Sequence, residues 1–183
     1  MNDLSYLTGH YDAKIKKIND FGAPLNFIFF TDPHNRLNED WCRKAGLKYE
    51  LAANAAYSMQ YILDRCPGIS FVVSGGDIGD DYYPDMNVVR AQHKEIMDAL
   101  YSRSVPVHCC IGNHDDVIGN AADHGWDQRE FAILPDEMHA LCMKYNPTPK
   151  NYYYFDDASG YRFVFLDVSD KHYVLGVDGR YPF

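Results

Sequence analysis

The stretch ISFVVSGGDIGDD, residues 69–81, decides the fold class of this 183-residue chain. Its first six residues are apolar or small and rich in β-branched side chains, which is typical of a strand buried on both faces of a parallel sheet. Two glycines end the run, and Asp77 follows them directly. We therefore predict a strand over residues 69–76 that presents a carboxylate at its carboxyl end.

Two similar apolar runs lie on either side, LNFIFFT at residues 25–31 and VPVHCCIG at residues 105–112. The first also reads as a strand buried on both faces. Apolar residues recur at helical spacing over residues 48–66 and 85–103, between the strands. This β–α–β–α–β order with long crossovers predicts an α/β fold built on a parallel core sheet.

The flanking segments add further elements. Residues 3–20 have the spacing of an amphipathic helix, and residues 127–145 suggest one or two short helices broken at Pro135. The later runs NYYYFDD and YRFVFLDV read as a β-hairpin with its turn at Ser159–Gly160. Because no internal repeat or linker is evident, we predict a single domain over residues 1–183.

Composition narrows the class of protein. Hydrophobic residues make up 46% of the chain and charged residues 23%, which is ordinary for a globular protein. The net charge of −9 argues against binding to long nucleic acids, which requires clustered basic residues. No apolar run approaches the length of a membrane span, and no signal core is visible, so we predict a cytoplasmic protein with no membrane partner. The five cysteines include no C-x-x-C pair, which argues against a thiolate zinc site.

Polar side chains follow the end of each predicted strand. After the three strands in turn these are Asp32 and His34, then Asp77 and Asp80, then Asn113, His114 and Asp115. Because the carboxyl ends of parallel strands meet at one edge of a sheet, we expect these side chains to converge. Oxygen and imidazole donors without thiolate suit a divalent cation.

Each cluster alone also has an ordinary explanation. About one D-x-H is expected by chance in such a chain, and Asp170 and His172 form a second one without matching context. Asp77 could belong to a strand-ending turn, and Asp115 could cap a helix. Three clusters in order, each at a strand end, make coincidence the weak explanation.

The series D-x-H, G-D-x-x-D and G-N-H-D over residues 32–115 resembles the motifs of the calcineurin-like metallophosphoesterase superfamily. The predicted hairpin is similar to the one that follows these motifs in that family. The resemblance implies a sandwich of mixed β-sheets flanked by helices. It also implies metal-dependent hydrolysis of a phosphomonoester or phosphodiester by a hydroxide that two metal ions activate.

The resemblance further implies four protein ligands for two divalent ions (Mn, Fe, Zn or Ni): Asp32, His34, Asp77 and Asn113. Asp77 would bridge the two ions. His114 would polarise the phosphoryl group or protonate the leaving oxygen, and Asp115 would orient its ring. Asp80 would anchor the loop. The expected substrate is a small phosphate ester, and residues 116–150, with Trp126, are predicted either to line its site or to form ordinary packing.

The chain departs from the family pattern near its C-terminal end, where His172 is the only histidine after residue 139. The family continues with a histidine and a Gly-His-x-His motif, neither of which is matched here, and the setting of His172 does not resemble them. We therefore predict a domain that is incomplete at its C-terminus, a weakly held second metal, and exposed apolar surface that a homo-oligomer would cover. Three explanations stay open: a cut chain, imidazoles supplied by another chain, or a degenerate remnant that binds a metal or a partner without full activity.

Overall fold

Three short parallel strands lie at the centre of the structure. The computed structural model describes residues 5–37, 39–44, 46, 52–167, 176, 178 and 181. The strands are β1 (Asn26–Phe30), β2 (Ile69–Ser74) and β3 (Val107–Cys109). They are ordered β1-β2-β3 across the sheet, with parallel pairing at both contacts. The prediction of an α/β fold with a parallel core sheet is confirmed.

Six helices surround this sheet in the described part of the chain: α1 (Ser5–Phe21), α2 (Glu39–Lys44), α3 (Ala53–Leu63), α4 (Met86–Tyr101), α5 (Ile118–Asp123) and α6 (Pro135–Cys142). The helices predicted over 3–20, 48–66 and 85–103 correspond to α1, α3 and α4, although residues 48–51 lie outside the described residues. None of the described helices is long and apolar enough to span a membrane.

The region around residues 127–145 differs from its prediction. Pro135 begins α6 and does not break a helix. The first turn of a helix suits proline, because its φ is already helical and its missing N–H has no partner to lose there. The short α5 was not predicted. It begins after Val117, which has a left-handed φ of 67° that no sequence pattern indicated.

Helix α4 shows why the predicted periodicity was reliable. The Asp85 side chain caps it by accepting a hydrogen bond from the Asn87 N–H at 2.9 Å. Val89, Ile96 and Leu100 on its inner face are buried, and each contributes about 1.5–3 kcal/mol through burial. The helix therefore has both a start signal and a packing face.

A β-hairpin packs on one face of the sheet. Its antiparallel strands are β4 (Tyr153–Asp156) and β5 (Arg162–Phe165). Phe163 meets Phe71 of β2 edge to face at 4.9 Å, and Phe155 stacks on His108 of β3 at 4.2 Å. Aromatic contacts of this kind hold the hairpin to the sheet. The predicted hairpin is confirmed.

Strand β1 is not buried on both faces as predicted. Phe27 is 44% exposed and Phe29 is 60% exposed. β1 lies at an edge of the sheet, and the hairpin covers it only in part: Phe163 meets Phe27 edge to face at 5.5 Å, and the other aromatic contacts described here go to β2 and β3. Val164 and Leu166 are also exposed. Apolar surface is thus open in the described structure, but a homo-oligomer that would cover it stays a prediction.

The thiols of the described core are inert by burial. Cys109 and Cys142 are fully buried, and burial raises the pKa of both thiols. A thiol kept protonated is a poor nucleophile and a poor metal ligand. Cys110, which follows Cys109, is half-buried, and burial raises the pKa of its thiol as well.

His108 should make the stability of the protein depend on pH. Burial lowers its pKa to about 4 from its ordinary value of 6.5, so the unfolded chain binds a proton that the folded chain rejects between these values. Stability from this group is complete above pH 6.5 and is lost as the pH falls towards 4. We expect the wild-type unfolding free energy to fall by about 3 kcal/mol more than that of His108→Phe between pH 7 and 4.

Urea denaturation at a series of pH values measures this difference. Phe retains the aromatic shape that stacks on Phe155 but does not titrate. Its absolute stability will also reflect the lost contact between His108 Nδ1 and the Tyr153 hydroxyl at 3.0 Å. The comparison therefore uses the pH dependence alone, and parallel curves for the two proteins would contradict the prediction.

Candidate active site

The loops that follow β1 and β2 run side by side beyond the end of the sheet. The His34 N–H donates to the Asp77 carbonyl at 3.0 Å, and the Asn35 N–H donates to the Ile78 carbonyl at 3.0 Å. These bonds continue the parallel ladder past the last residues of the strands. They explain why side chains more than forty positions apart in the sequence arrive at one place.

Asp32, His34 and Asp77 form a cluster of possible metal ligands, whose donor atoms all lie within 4.8 Å of one another. His34 Nε2 is 3.9 Å from Asp32 Oδ1 and 3.8 Å from Asp77 Oδ2. Both distances exceed a hydrogen bond, but two ligands that each lie about 2.1 Å from a shared ion can span them.

Two further observations test the fit of a cation. Burial raises the pKa of the Asp77 carboxyl, and a bound cation would favour its charged form. His34 Nδ1 is buried and has no hydrogen-bond partner in the described structure. A buried polar atom without a partner needs an explanation other than packing, such as a bound ion. The donor set of two carboxylates and an imidazole suits a divalent ion. The residues present therefore fit a metal.

The backbone is strained where these ligands lie. Asp32, His34 and Asp77 have left-handed φ angles of 54°, 42° and 52°. Such angles cost non-glycine residues of order 1–3 kcal/mol each and occur preferentially at functional sites. The same angles turn the three side chains towards one another, so the strained backbone is part of what brings these donors together.

Glycines allow the loops after β2 and β3 to meet. A Cβ on Gly112 would overlap the Asp77 carboxylate, and a Cβ on Gly76 would lie 2.5 Å from the Gly112 nitrogen. Gly76 also has a φ of 104°, which is outside the range of other residues. The two glycines therefore allow close approach, which explains why the second and third predicted strands end in glycine before their polar residues.

The third loop brings His114 to the cluster. Its backbone N–H donates to Asp77 Oδ1 at 3.0 Å, and its ring centroid lies 5.1 Å from that of His34. Asn113 precedes it, and its side chain is exposed. The structure thus places His114 beside the three clustered donors, while the role of Asn113 as a ligand of a second ion stays a prediction.

Asp81, and not Asp115 as predicted, contacts the ring of His114. Both carboxylate oxygens of Asp81 lie 3.1 Å from His114 Nδ1. Partial burial lowers the pKa of His114, but the Asp81 carboxylate outweighs it, and the net shift is upward. Asp81 is itself buried, which raises its own pKa. This carboxylate holds a proton on Nδ1 and sets the orientation of the ring.

Asp115 instead joins two loops from beneath the site. Its Oδ1 accepts hydrogen bonds from the Ile78 N–H at 2.7 Å and from His93 Nε2 at 3.0 Å. Its Oδ2 accepts from the Asp77 N–H at 3.0 Å and the Gly112 N–H at 2.8 Å. The predicted role as the orienting group of His114 is therefore wrong, because backbone N–H groups and the His93 ring occupy both oxygens of the Asp115 carboxylate.

His93 carries a positive charge in this arrangement. Its Nδ1 lies 3.0 Å from the Val89 carbonyl and its Nε2 faces Asp115, so both ring nitrogens donate. Burial lowers the His93 pKa, but Asp115 and Val89 outweigh it and raise the pKa overall. Conversely, burial raises the pKa of Asp115, and His93 with the backbone donors lowers it overall. The two residues form a buried ion pair.

Asp80 anchors its loop, in agreement with the prediction. It is buried, forms an ion pair with Arg36 of the first loop, and accepts the Tyr82 N–H at 2.9 Å. The ion pair with Arg36 joins the first two loops, and the hydrogen bond from the Tyr82 N–H lies within the second loop. The adjacent carboxylates of Asp80 and Asp81 therefore have different tasks.

Sequence reasoning missed the roles of Asp81 and His93. Asp81 had a signal, since it lies next to Asp80 in GDIGDD, but no spacing rule distinguished the two. His93 has no motif around it in the sequence. Its spacing from Val89 and Ile96 placed it on the buried face of α4, and that signal could have indicated a partnered core histidine. His172 lies outside the described residues.

A family model described as calcineurin-like phosphoesterase matches residues 25–182 of the chain. The chain therefore belongs to the calcineurin-like phosphoesterase family, and the resemblance seen in its motifs is confirmed. The family indicates a hydrolase of phosphoesters that depends on divalent metal, and the cluster of Asp32, His34 and Asp77 agrees with this class. Neither a curated protein nor a solved structure matches the chain significantly.

Proposed function

We propose that this chain hydrolyses a small phosphate ester in the cytoplasm, with Asp32, His34 and Asp77 holding divalent metal and Asn113 completing a second ion site. One observation carries the proposal: the three donors converge beside His114, the one described histidine whose ring both reaches this cluster and is oriented by a buried carboxylate. The chain has a net charge of −9, so a phosphate needs local positive charge to approach it.

Asp77, Asp81 and His114 have separate roles in the proposed reaction. When bound, divalent ions neutralise charge on the phosphoryl oxygens and acidify the attacking water. Asp77 receives the His114 N–H on Oδ1, which leaves Oδ2 directed towards His34. Asp81 holds the Nδ1 proton of His114, so that Nε2 can donate a proton to the leaving oxygen. The raised pKa keeps more of the ring protonated near neutral pH.

Hydrolysis of p-nitrophenyl phosphate and bis(p-nitrophenyl) phosphate with added Mn²⁺ tests this proposal. We expect wild-type turnover and a loss of about 10²- to 10⁴-fold in kcat for His114→Ala, because a general acid contributes that much. The exposed Lys94→Ala is the matched control and should keep wild-type rates. The preferred substrate distinguishes monoester from diester hydrolysis, and equal rates for His114→Ala and wild type would reject the assigned role.

A second candidate is a metal-binding module without hydrolytic activity. The observation that favours it is the size of the cluster: three donors of the described structure converge, which is enough for one ion with solvent in its shell. The same assay separates the two candidates. Bound Mn²⁺ without turnover of either substrate would favour the module, and turnover that depends on His114 would favour the hydrolase.

A further inference from the structure

A row of aromatic rings begins beside His114 and extends away from the metal cluster. It consists of Tyr82, His124, Trp126 and Phe131. Tyr82 lies nearly parallel to His114, with an interplanar angle of 24° and ring centroids 6.4 Å apart. His124 meets Tyr82 edge to face at 6.1 Å and is followed by Trp126 at 4.9 Å. Neither the metal cluster nor the proton donor requires these rings.

The rings are not simply part of the core. Tyr82 is 39% exposed, His124 is exposed, and Trp126 is only half-buried. The three rings therefore leave aromatic surface open to solvent next to His114. An exposed aromatic face beside a proposed proton donor is instead a surface on which a planar group can stack.

Hydrogen bonds fix the position of the row relative to the candidate active site. The Tyr82 N–H donates to Asp80 Oδ1 at 2.9 Å, in the loop that also carries Asp81. Asn120 of α5 donates from Nδ2 to the Asp81 carbonyl at 2.8 Å, and its own carbonyl accepts from His124 Nδ1 at 3.0 Å. One buried asparagine thus joins the backbone of Asp81, whose carboxylate orients His114, to the second ring of the row. These bonds fix the rings relative to the loop that carries Asp80 and Asp81.

We propose that this row selects phosphate esters whose alcohol carries a planar aromatic ring, with Tyr82 as the specificity-determining residue. The inference rests on the proposed function, because it places the phosphate between the metal cluster and His114. The alcohol then leaves on the His114 side, where Tyr82 presents its face. His124 donates its Nδ1 proton to Asn120, which leaves Nε2 as an acceptor for an N–H or O–H of the ligand.

Paired ligands that differ only in the ring test this proposal. Calorimetric binding in the presence of Mn²⁺ would compare adenosine 5′-monophosphate with ribose 5-phosphate, which share the phosphate and the sugar. We expect wild type to bind the nucleotide about tenfold more tightly, the factor that one stacked base contributes. Tyr82→Ala should bring this ratio close to one, and Tyr82→Phe should retain it because stacking needs no hydroxyl. The exposed Tyr154→Ala is the control and should leave the ratio unchanged.

The binding readout separates this inference from the proposed function. A ratio near one in wild type, or the same ratio in Tyr82→Ala, overturns the inference even if p-nitrophenyl phosphate is hydrolysed. A Tyr82-dependent ratio without hydrolysis supports the inference and rejects the proposed function. If neither ligand binds, the inference fails.

Discussion

Asp77→Asn is expected to abolish metal-dependent hydrolysis while the protein stays folded. Asn has the size of Asp, tolerates the left-handed φ of 52°, and can still accept the His114 N–H. It lacks the negative charge with which Asp77 would bind divalent metal. We expect kcat to fall by about 10³-fold or more, which corresponds to several kcal/mol of lost transition-state stabilisation.

Initial rates at saturating Mn²⁺, with far-ultraviolet circular dichroism to verify folding, check this prediction. Asp98→Asn is the matched control, because that carboxylate is exposed and pairs only with Lys94 of the same helix among the contacts described. Its rate should equal that of wild type. A folded Asp77→Asn protein with wild-type activity would show that the chemistry does not pass through this carboxylate.

Asp115→Asn is expected to have the largest effect on stability of any single substitution considered. The carboxylate is fully buried, accepts backbone N–H groups from two loops, and balances the charge of His93. An amide would turn an NH₂ group towards these donors and leave the imidazolium unpaired. Removing one partner of a buried ion pair costs about 3–5 kcal/mol. We expect a loss of that size in the free energy of unfolding.

Urea denaturation at pH 7 measures the loss in the free energy of unfolding of Asp115→Asn. Asp85→Asn is the matched control, because Asn caps a helix as well as Asp does, and its stability should change by only a few tenths of a kcal/mol. Hydrolysis by Asp115→Asn should also fall, since Gly112 and Asp77 lose their common acceptor. Wild-type stability in this variant would show that His93 and Asp115 are not the link between the loops.

The core of the fold was predictable because it depends on patterns of apolar residues. The runs at 25–31, 69–76 and 105–112 could be buried only as neighbouring strands, and the intervening helical patterns required parallel pairing. Burial of β1 was overestimated, because a run of apolar residues does not reveal that its strand lies at an edge of the sheet. The exposure of Phe29 follows from sheet order, which the pattern does not contain.

The sequence predicted which strand ends form the candidate site, but it did not predict the contacts among their side chains. The rule that parallel strands present their carboxyl ends together brings Asp32, His34 and Asp77 to one edge, and the structure has them clustered. Which carboxylate contacts which imidazole depends on loop geometry at the scale of one residue. Asp81 therefore has the task that was expected of Asp115, while Asp115 accepts backbone hydrogen bonds such as that from the Gly112 N–H.

Equilibrium dialysis of the metal-free protein against Mn²⁺ tests most directly the claim that Asp32, His34 and Asp77 form a metal centre. The proteins compared are wild type, His34→Ala, and His124→Ala as an exposed histidine outside the cluster. We predict saturable binding of at least one ion per chain in wild type and in His124→Ala, and its loss in His34→Ala at the same free Mn²⁺. Equal binding by wild type and His34→Ala, or no binding by either, would contradict the claim.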